Sequence, residues 1–366
     1  MSKNKKKKSK KILLTIISII LVLCIGLFAV GFSYWQSIKN APPEVEDTLT
    51  YDFDDETVAL SLQDDPQFDQ IFEGNATELK AAIKEWATNG GDVMYSEDVI
   101  NVLCLGVDTR NKNTISGLTD SMIICSVNKK LGTITFTSIM RDSYAYLESP
   151  DGVGSFNKIN SAFPFYGVEN LINTIESHFK IRIDGYAMIN FALFKAVIDK
   201  LGGVNVNISE YEAERFNASY DWDLQAGSSV NLNGDQALVF CRSRKIYNDG
   251  DVQRTENQRE VLIALLQKAA TIQASEVPEY IKTFMPYLET SYNEAELVSL
   301  GTKAVIGGWT KFSVQQIVMP DEASRKAHSG DVWYWEVDYP LAAQTLQNTI
   351  YGESNITLSE DRQVFY

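Results

Sequence analysis

The chain has 366 residues, roughly two domain lengths at about 150 residues per domain. A hydrophobic fraction of 45% with 22% charged residues is typical of a folded protein and excludes a largely disordered chain. The formal net charge is −15, and because seven lysines lie in the first eleven residues, the remainder is still more acidic. Nucleic-acid binding depends on clustered cations on a folded face, so this balance argues against a nucleic-acid partner.

The N-terminus combines a cationic segment, residues 1–11, with an apolar run without charges, residues 12–35. Such a run reaches about 36 Å as a helix, enough to cross a hydrocarbon core of about 30 Å. The alternative is a cleaved signal peptide, which the bulky Tyr34 and Trp35 at its end disfavour. The lysines stay in the cytoplasm by the positive-inside rule. The sequence therefore predicts a single-pass cell-membrane protein with a cytoplasmic N-terminus and an extracellular folded part.

Residues 36–97 follow the predicted span and read as an extracellular stalk. Prolines and acidic side chains dominate its first half, and residues 77–86 show the apolar spacing of an accessory helix. We assign residues 98–366 to one extracellular domain, in which the chemistry is expected.

This domain alternates predicted strands and helices. Apolar runs and alternating patterns predict strands at residues 99–107, 121–127, 133–139, 204–208 and 313–318. Helical spacing predicts helices at residues 169–179, 191–201, 255–273 and 341–351. Strands mixed with crossover helices favour the α/β class. We expect a three-layer α-β-α sandwich with a central mixed sheet, preceded by one N-terminal transmembrane helix.

Common catalytic signatures are missing from the sequence. His178 and His328 are the only histidines, too few for a zinc site or a Ser-His-Asp triad, and neither a P-loop nor GxSxG occurs. His178 lies beside apolar residues of a predicted helix, which favours a packed histidine. Catalysis through a covalent intermediate is therefore disfavoured.

Two carboxylates flank neighbouring predicted strands. Asp108 leaves the first strand and Asp120 enters the second, so both are expected at one edge of the sheet. Hard oxygen ligands of this kind suit Mg²⁺ or Mn²⁺. The alternative for either aspartate alone is turn formation or strand capping.

Cationic side chains recur in short polar segments next to strand and helix ends. They are Arg110, Arg141, Lys158, Arg242, Arg244, Arg254 and Arg259. Guanidinium groups match phosphate oxygens, and the start of the long helix, with Arg254 and Gln258 one turn apart, also favours an anion. Together these residues predict a diphosphate pocket. The alternative pairs each arginine with a nearby acidic residue.

The motifs at these positions, in order, resemble the LytR-CpsA-Psr family of membrane-anchored enzymes that attach glycopolymers to the bacterial cell wall. They are GVDTR at 106–110, LTDS at 118–121, SIMRDS at 138–143, NKIN at 157–160, CRSR at 241–244 and DVQRTENQRE at 251–260. The resemblance extends over roughly residues 98–273 and is weaker beyond.

The resemblance implies a phosphotransferase that moves a glycopolymer from a polyprenyl-pyrophosphate carrier to a peptidoglycan hydroxyl. It implies that Asp108 and Asp120 hold the metal. The implied pyrophosphate-binding residues are Arg141, Arg242, Arg244, Arg254, Gln258 and Lys158. Arg141, with Arg110 and Asp142 as helpers, is the expected catalytic set, and Asp142 is a candidate for the base.

Two other functions use the same features. With water as the acceptor the protein would be a lipid pyrophosphatase, and without catalysis it would be a polyprenyl-lipid binding or regulatory module. Apolar residues of the two middle helices, such as Phe191, are candidates for a groove that holds the lipid, although core packing explains most of them equally well.

Overall fold

The computed structural model describes residues 76–107, 119–248, 250–269, 287–293, 296, 308–329 and 332–359. Within these ranges no helix is both long enough and apolar enough to cross a membrane. The predicted span at residues 12–35 lies outside the described residues, as do Asp108 and Arg110.

Strands and helices alternate along the described chain. The strands are β1 (Val99–Val107), β2 (Thr119–Asn128), β3 (Thr133–Ile139), β4 (Tyr144–Glu148), β5 (Gly154–Lys158), β6 (Gly185–Asn190), β7 (Val204–Ile208), β8 (Gly227–Leu232), β9 (Glu289–Thr290), β10 (Ser313–Met319), β11 (Arg325–Ser329) and β12 (Trp333–Val337). The α-helices are α1 (Ala76–Asn89), α2 (Ala162–Tyr166), α3 (Val168–Phe179), α4 (Phe191–Lys200), α5 (Glu210–Tyr220), α6 (Gly234–Arg242), α7 (Gly250–Ala269) and α8 (Tyr339–Tyr351).

A mixed sheet in the order β10-β3-β2-β1-β6-β9 forms the centre of the fold. β1 runs antiparallel to β2 and parallel to β6, while β3 runs antiparallel to β2 and parallel to β10. The strand pairs β4–β5, β7–β8 and β11–β12 form separate antiparallel hairpins. The sheet is mixed, as the sequence predicts.

Helices cover both faces of this sheet because its strands are apolar on both sides. One face packs against α3 and α8, and its buried side chains include Leu103, Leu105, Leu171, Ile175, Leu346 and Ile350. The other face packs against α7 through Ile123, Phe136, Leu262 and Leu266. Helix α1 adds Leu79 and Ile83 to the first of these cores. The α/β sandwich is confirmed.

A smaller core joins the helices that flank the sheet on the α7 side. Side chains from α4, α5, α6, α7 and the β7–β8 hairpin meet there, including Ile198, Phe216, Val206, Val239 and Val261. Helix α6 begins with a capping box between Asn233 and Gln236, and Lys195 of α4 pairs with Asp235 at 2.9 Å. These contacts fix the start of α6 against α4.

The strand register brings several strand ends to one edge of the sheet. Val107 at the end of β1 pairs with Thr119 at the start of β2. Ile123 of β2 pairs with Ser138 of β3, so the residues that follow β3 meet those that begin β2. The parallel strands β6 and β10 also end on this side. The described residues of the LTDS and SIMRDS motifs therefore lie at one edge of the sheet.

His178 is a structural histidine of α3, as its apolar surroundings predict. Its side chain is fully buried, its Nε2 accepts from the backbone N–H of Tyr146 at 3.1 Å, and its Nδ1 contacts the carbonyl of Thr174 at 2.8 Å. Burial lowers the pKa of His178 from the ordinary 6.5 to about 4.

The lowered pKa of His178 predicts acid sensitivity of the fold. The neutral ring stabilises the folded state fully above pH 6.5, and this contribution is lost as the pH falls towards about 4. The linkage corresponds to about 3 kcal/mol of unfolding free energy. We expect His178→Gln to flatten the pH dependence of unfolding free energy over this window in denaturant titrations. An unchanged slope in the variant would contradict the assignment.

Candidate anion-binding site

Arg141 lies at the centre of the polar cluster at the sheet edge. Extending the β2–β3 register past Ser138 places Arg141 opposite Asp120, and its Nη1 donates to the Asp120 Oδ1 at 2.8 Å. Arg141 is only 4% exposed, so its charge is desolvated and needs partners. Burial alone raises the pKa of the Asp120 carboxyl. Nearby guanidinium groups outweigh this effect and lower its pKa; they belong to Arg141, Arg254 and Arg242.

Asp142 and Lys158 extend the cluster along the β4–β5 hairpin. Tyr144 pairs with Lys158 across the hairpin, which brings the Lys158 Nζ to 2.6 Å from the Asp142 Oδ1. The Asp142 Oδ2 lies 3.4 Å from the Arg141 Nε. Burial raises the pKa of Asp142, but Arg141 and Lys158 together hold it below its ordinary value. Asp142 therefore stays ionised and orients two cations, which makes it a weak proton acceptor.

Asp251, in the first turn of α7, joins three arginines at one oxygen. Its Oδ1 lies 2.8 Å from the Arg254 Nη2, 3.6 Å from the Arg244 Nε and 3.7 Å from the Arg141 Nε. No role was predicted for Asp251, because the helix was expected to begin only at residue 255, whereas Asp251 lies in its first turn. The carboxylate holds together arginines that come from three separate segments.

Arg254 has hydrogen-bonding capacity that the described residues leave unused. Its Nε and Nη2 are buried and make no hydrogen bond of good geometry with those residues, although the Nη2 lies 2.8 Å from the Asp251 Oδ1 as an ion pair. Neither carboxylate oxygen of Asp251 accepts a hydrogen bond of good geometry from the described residues. Burial, together with Arg141, lowers the pKa of Arg254 to about 10, so the group remains charged at neutral pH. Buried donors without acceptors are unfavourable by about 1 to 3 kcal/mol, which an incoming oxyanion would relieve.

The cluster opens to solvent at two cations. The side chain of Arg244 is 33% exposed and that of Lys158 is 27% exposed, whereas those of Arg141 and Arg254 are at most 5% exposed. An anion arriving from solvent would therefore meet Arg244 and Lys158 first.

The remaining predicted cations and Gln258 differ in what they contact. The Arg242 guanidinium lies 4.2 Å above the ring of Phe191, at the end of α6. Gln258 donates to the Cys241 carbonyl at 3.3 Å, so it ties α7 to α6; its predicted contact with substrate stays a prediction. Arg259 bonds instead to neutral oxygens, including the Ser138 Oγ at 2.7 Å, and fastens α7 to β3. Arg259 therefore stabilises the packing of α7 against the sheet.

A buried network positions the loop between α6 and α7. The Tyr247 hydroxyl donates to the Glu212 carboxylate at 2.6 Å and accepts from Asn257 at 3.0 Å. Asn257 also donates to the Phe240 carbonyl at 3.0 Å. Burial and Glu212 raise the pKa of Tyr247, so its hydroxyl keeps its proton. Because the Tyr247 N–H bonds to the Arg244 carbonyl at 3.1 Å, this network sets where Arg244 lies.

We expect Tyr247→Phe to weaken anion binding through Arg244. Removing the hydroxyl leaves the Glu212 Oε1 without the Tyr247 donor, which should lower the unfolding free energy by about 1 to 3 kcal/mol. The affinity for inorganic pyrophosphate, measured by calorimetry, should fall several-fold. Tyr211→Phe, at an exposed ring, serves as the control. An unchanged pyrophosphate affinity in Tyr247→Phe would show that Arg244 does not depend on this network.

The described cluster contains more cations than carboxylates. Arg141, Lys158, Arg242, Arg244 and Arg254 accompany Asp120, Asp142 and Asp251. The alternative of arginine–aspartate pairing holds for individual contacts, but the aspartates are shared and the excess charge is positive. The arrangement suits a multiply charged oxyanion such as a diphosphate.

The Asp120 carboxylate at the start of β2 is a suitable type of ligand for a divalent cation. The Asp120 carboxylate accepts a hydrogen bond at Oδ1, and within the described residues no donor reaches its Oδ2. Val107, which precedes Asp108 in the sequence, pairs with Thr119, which precedes Asp120. Among the described residues, no three His, Cys, Asp or Glu side chains form a metal-binding group. Asp120 is thus a candidate for one carboxylate ligand, a number typical of Mg²⁺ sites.

Known proteins are similar to this chain in sequence and in fold. TagU of Bacillus subtilis (strain 168), named a polyisoprenyl-teichoic acid–peptidoglycan teichoic acid transferase, is 28% identical over 272 residues, 74% of each chain. The protein of that name from Bacillus cereus (strain ATCC 14579) is 27% identical and covers 95% of this chain and 99% of its own. A solved structure of TagT bound to LIIa-WTA aligns with a TM-score of 0.55 and 22% identity, covering 72% of this chain and 98% of that one. The LytR_cpsA_psr family model matches residues 70–350, so the chain belongs to the LytR_cpsA_psr family.

Proposed function

We propose that this protein transfers a glycopolymer from a polyprenyl-pyrophosphate carrier to a hydroxyl group of peptidoglycan, releasing polyprenyl phosphate. The names of the TagU relatives and their similarity over most of the chain support transfer of a teichoic acid or a related polymer. The carrier, the acceptor and the residue roles are inferred for this chain.

The observation that carries the proposal is the shared cationic cluster around Asp251. Three guanidinium groups approach one carboxylate oxygen within 3.7 Å, and the buried Nε of Arg254 has no hydrogen-bond acceptor among the described residues. A diphosphate offers more negative charge than the aspartates supply, and its oxygens match forked guanidinium donors.

The proposed reaction displaces one phosphate from another. The acceptor oxygen forms a bond to the sugar-side phosphorus, the bond from that phosphorus to the bridging oxygen breaks, and the hydroxyl proton passes to solvent or a base. Polyprenyl phosphate leaves with an additional negative charge. Arg141, Arg244 and Arg254 would stabilise that charge, and they lie within the cluster before substrate arrives.

A divalent cation is part of the proposal. Asp108 and Asp120 would hold Mg²⁺ or Mn²⁺, which when bound would neutralise charge on the diphosphate. Arg110 is the other predicted helper, next to Asp108 in the sequence. Residues 12–35 would anchor the protein in the cell membrane, with residues 1–11 in the cytoplasm and the enzyme on the outer side, where lipid-linked polymer and peptidoglycan meet.

The test is a reconstituted reaction with the full-length protein. A synthetic polyprenyl-pyrophosphate sugar and soluble peptidoglycan oligomers are incubated with Mg²⁺, with Mn²⁺, or with a chelator, and products are identified by mass. We expect a phosphodiester-linked sugar on peptidoglycan and loss of product with the chelator. Free sugar phosphate in place of this product would indicate a lipid pyrophosphatase. An unconsumed lipid that still binds would indicate a binding module.

A further inference from the structure

The β11–β12 hairpin places an exposed aromatic surface beside the cationic cluster. Trp333 is 38% exposed, and its ring meets that of Trp335 edge-on with centroids 4.9 Å apart. Register pairs Ala327 with Trp335, so the exposed Ala327 lies on the same face of the hairpin. This face carries two indole rings and is partly open to solvent.

The hairpin forms backbone hydrogen bonds with the segment that carries Arg141 and Asp142. The backbone N–H of Trp335 donates to the Asp142 carbonyl at 2.9 Å, and Trp335 forms a parallel bridge with Ser143. In a parallel pair, residues that precede the bridge on both chains lie at the same end. Trp333 therefore lies towards Arg141 and Asp142.

Contacts on the hairpin hold this surface in place. The Arg325 guanidinium lies 4.7 Å above the Trp335 ring and donates to the Pro320 carbonyl at 3.2 Å. Tyr334, on the other face, is buried against Tyr144 with ring centroids 4.8 Å apart. A surface fixed before binding loses little conformational entropy when a ligand arrives.

The chemistry of the two neighbouring surfaces differs. Guanidinium groups donate hydrogen bonds to phosphate oxygens. An uncharged indole ring instead packs against the C–H face of a neutral sugar ring. A transfer between a diphosphate and a sugar hydroxyl requires both kinds of surface next to each other. The hairpin supplies the second kind, immediately beside the first.

The order of ionic contacts in the cluster favours the acceptor sugar, and not the lipid-linked donor, as the substrate next to the hairpin. Ionic contacts run from Lys158 and Asp142, next to the hairpin, through Arg141 to Arg254 and Arg244 at the far side. In-line displacement requires the acceptor and the leaving phosphate on opposite sides of the reacting phosphorus. Arg254 and Arg244 are the last groups along these contacts from the hairpin, so they fit the lipid phosphate.

We propose that the Trp333–Trp335 face binds a sugar ring of the acceptor glycan, next to the hydroxyl that reacts. This inference rests on the proposed transfer, since it assigns one subsite to that reaction. Trp333 is the contact residue, and Trp335 supports its ring.

The test separates acceptor binding from donor chemistry. In the full-length protein, Trp333→Ala should raise the KM for soluble peptidoglycan oligomers about tenfold while the KM for the lipid-pyrophosphate sugar changes less than twofold. Trp333→Tyr should restore most of the affinity. Tyr95→Ala is the matched control, because Tyr95 is 52% exposed and precedes β1 at the opposite end of the sheet.

A binding measurement without donor makes the inference independent of turnover. Calorimetry with the same peptidoglycan oligomers should show binding to the wild type and a loss of about tenfold in Trp333→Ala. Equal affinities, or an equal rise of both KM values in the kinetic assay, would overturn the acceptor subsite. Glycan binding that depends on Trp333 in a protein that transfers nothing would uphold the surface and refute the proposed transferase.

Discussion

Replacing Arg141 should abolish nearly all transfer. Arg141 touches Asp120, Asp142 and Asp251, and its guanidinium is fixed before substrate binds. Losing one preorganised donor to a developing negative charge reduces turnover by about 10²- to 10³-fold. We therefore expect Arg141→Ala to lower the transfer rate by at least this factor when product is quantified by mass.

Stability has to be separated from chemistry in this variant. Removing one partner of a buried ion pair destabilises a fold by about 3 to 5 kcal/mol. Arg141→Lys keeps the charge but offers no forked donors, so it should retain more stability than Arg141→Ala and still transfer slowly. Arg182→Ala, at an arginine that pairs with Asp184 at 3.5 Å and is 53% exposed, is the control. A folded Arg141→Lys protein with wild-type turnover would remove Arg141 from the catalytic set.

The central strands could be predicted from sequence because burial on both faces leaves long apolar runs. The predicted strands at residues 99–107, 133–139 and 204–208 are confirmed with the same bounds. The long helix α7 was predicted from residue 255, but it begins at Gly250. Its first turn is polar because it packs against the cationic cluster, so apolar periodicity does not mark it.

Helices α5 and α6 were missed for a different reason. Their apolar stripes are short, and most of their burial comes from the small core formed with α4 and α7. Capping boxes at their starts, Ser209 with Glu212 and Asn233 with Gln236, were the available signals. Boundaries that depend on tertiary packing were therefore less visible than the strands.

The residue types of the site were predictable, whereas their partners were not. Cations next to strand and helix ends predicted an anion pocket, and Arg141, Arg244 and Arg254 do meet at Asp251. These arginines share one carboxylate because α7 packs at the end of β3. Such tertiary packing is not visible in any local sequence pattern. Asp108 lies outside the described residues, so its predicted proximity to Asp120 stays a prediction.

Neutralising Asp251 should make the fold depend on an added anion. In Asp251→Asn, the guanidinium groups of Arg141, Arg244 and Arg254 lose the carboxylate that all three approach. Asp120 and Asp142 still compensate Arg141, but the buried Arg254 loses its ion-pair partner, and we expect a loss of about 3 to 5 kcal/mol in unfolding free energy. Inorganic pyrophosphate should restore more stability to this variant than it adds to the wild type, because the anion supplies the missing negative charge.

Thermal unfolding with increasing pyrophosphate measures this difference directly. Asp235→Asn, which removes a partner of Lys195 outside the cluster, should lose less stability and respond to pyrophosphate as the wild type does. If pyrophosphate raises the unfolding temperature of Asp251→Asn no more than that of the wild type, the three arginines do not form one anion site. A larger rise means that an anion can occupy the position of the Asp251 charge, because pyrophosphate is the only component added.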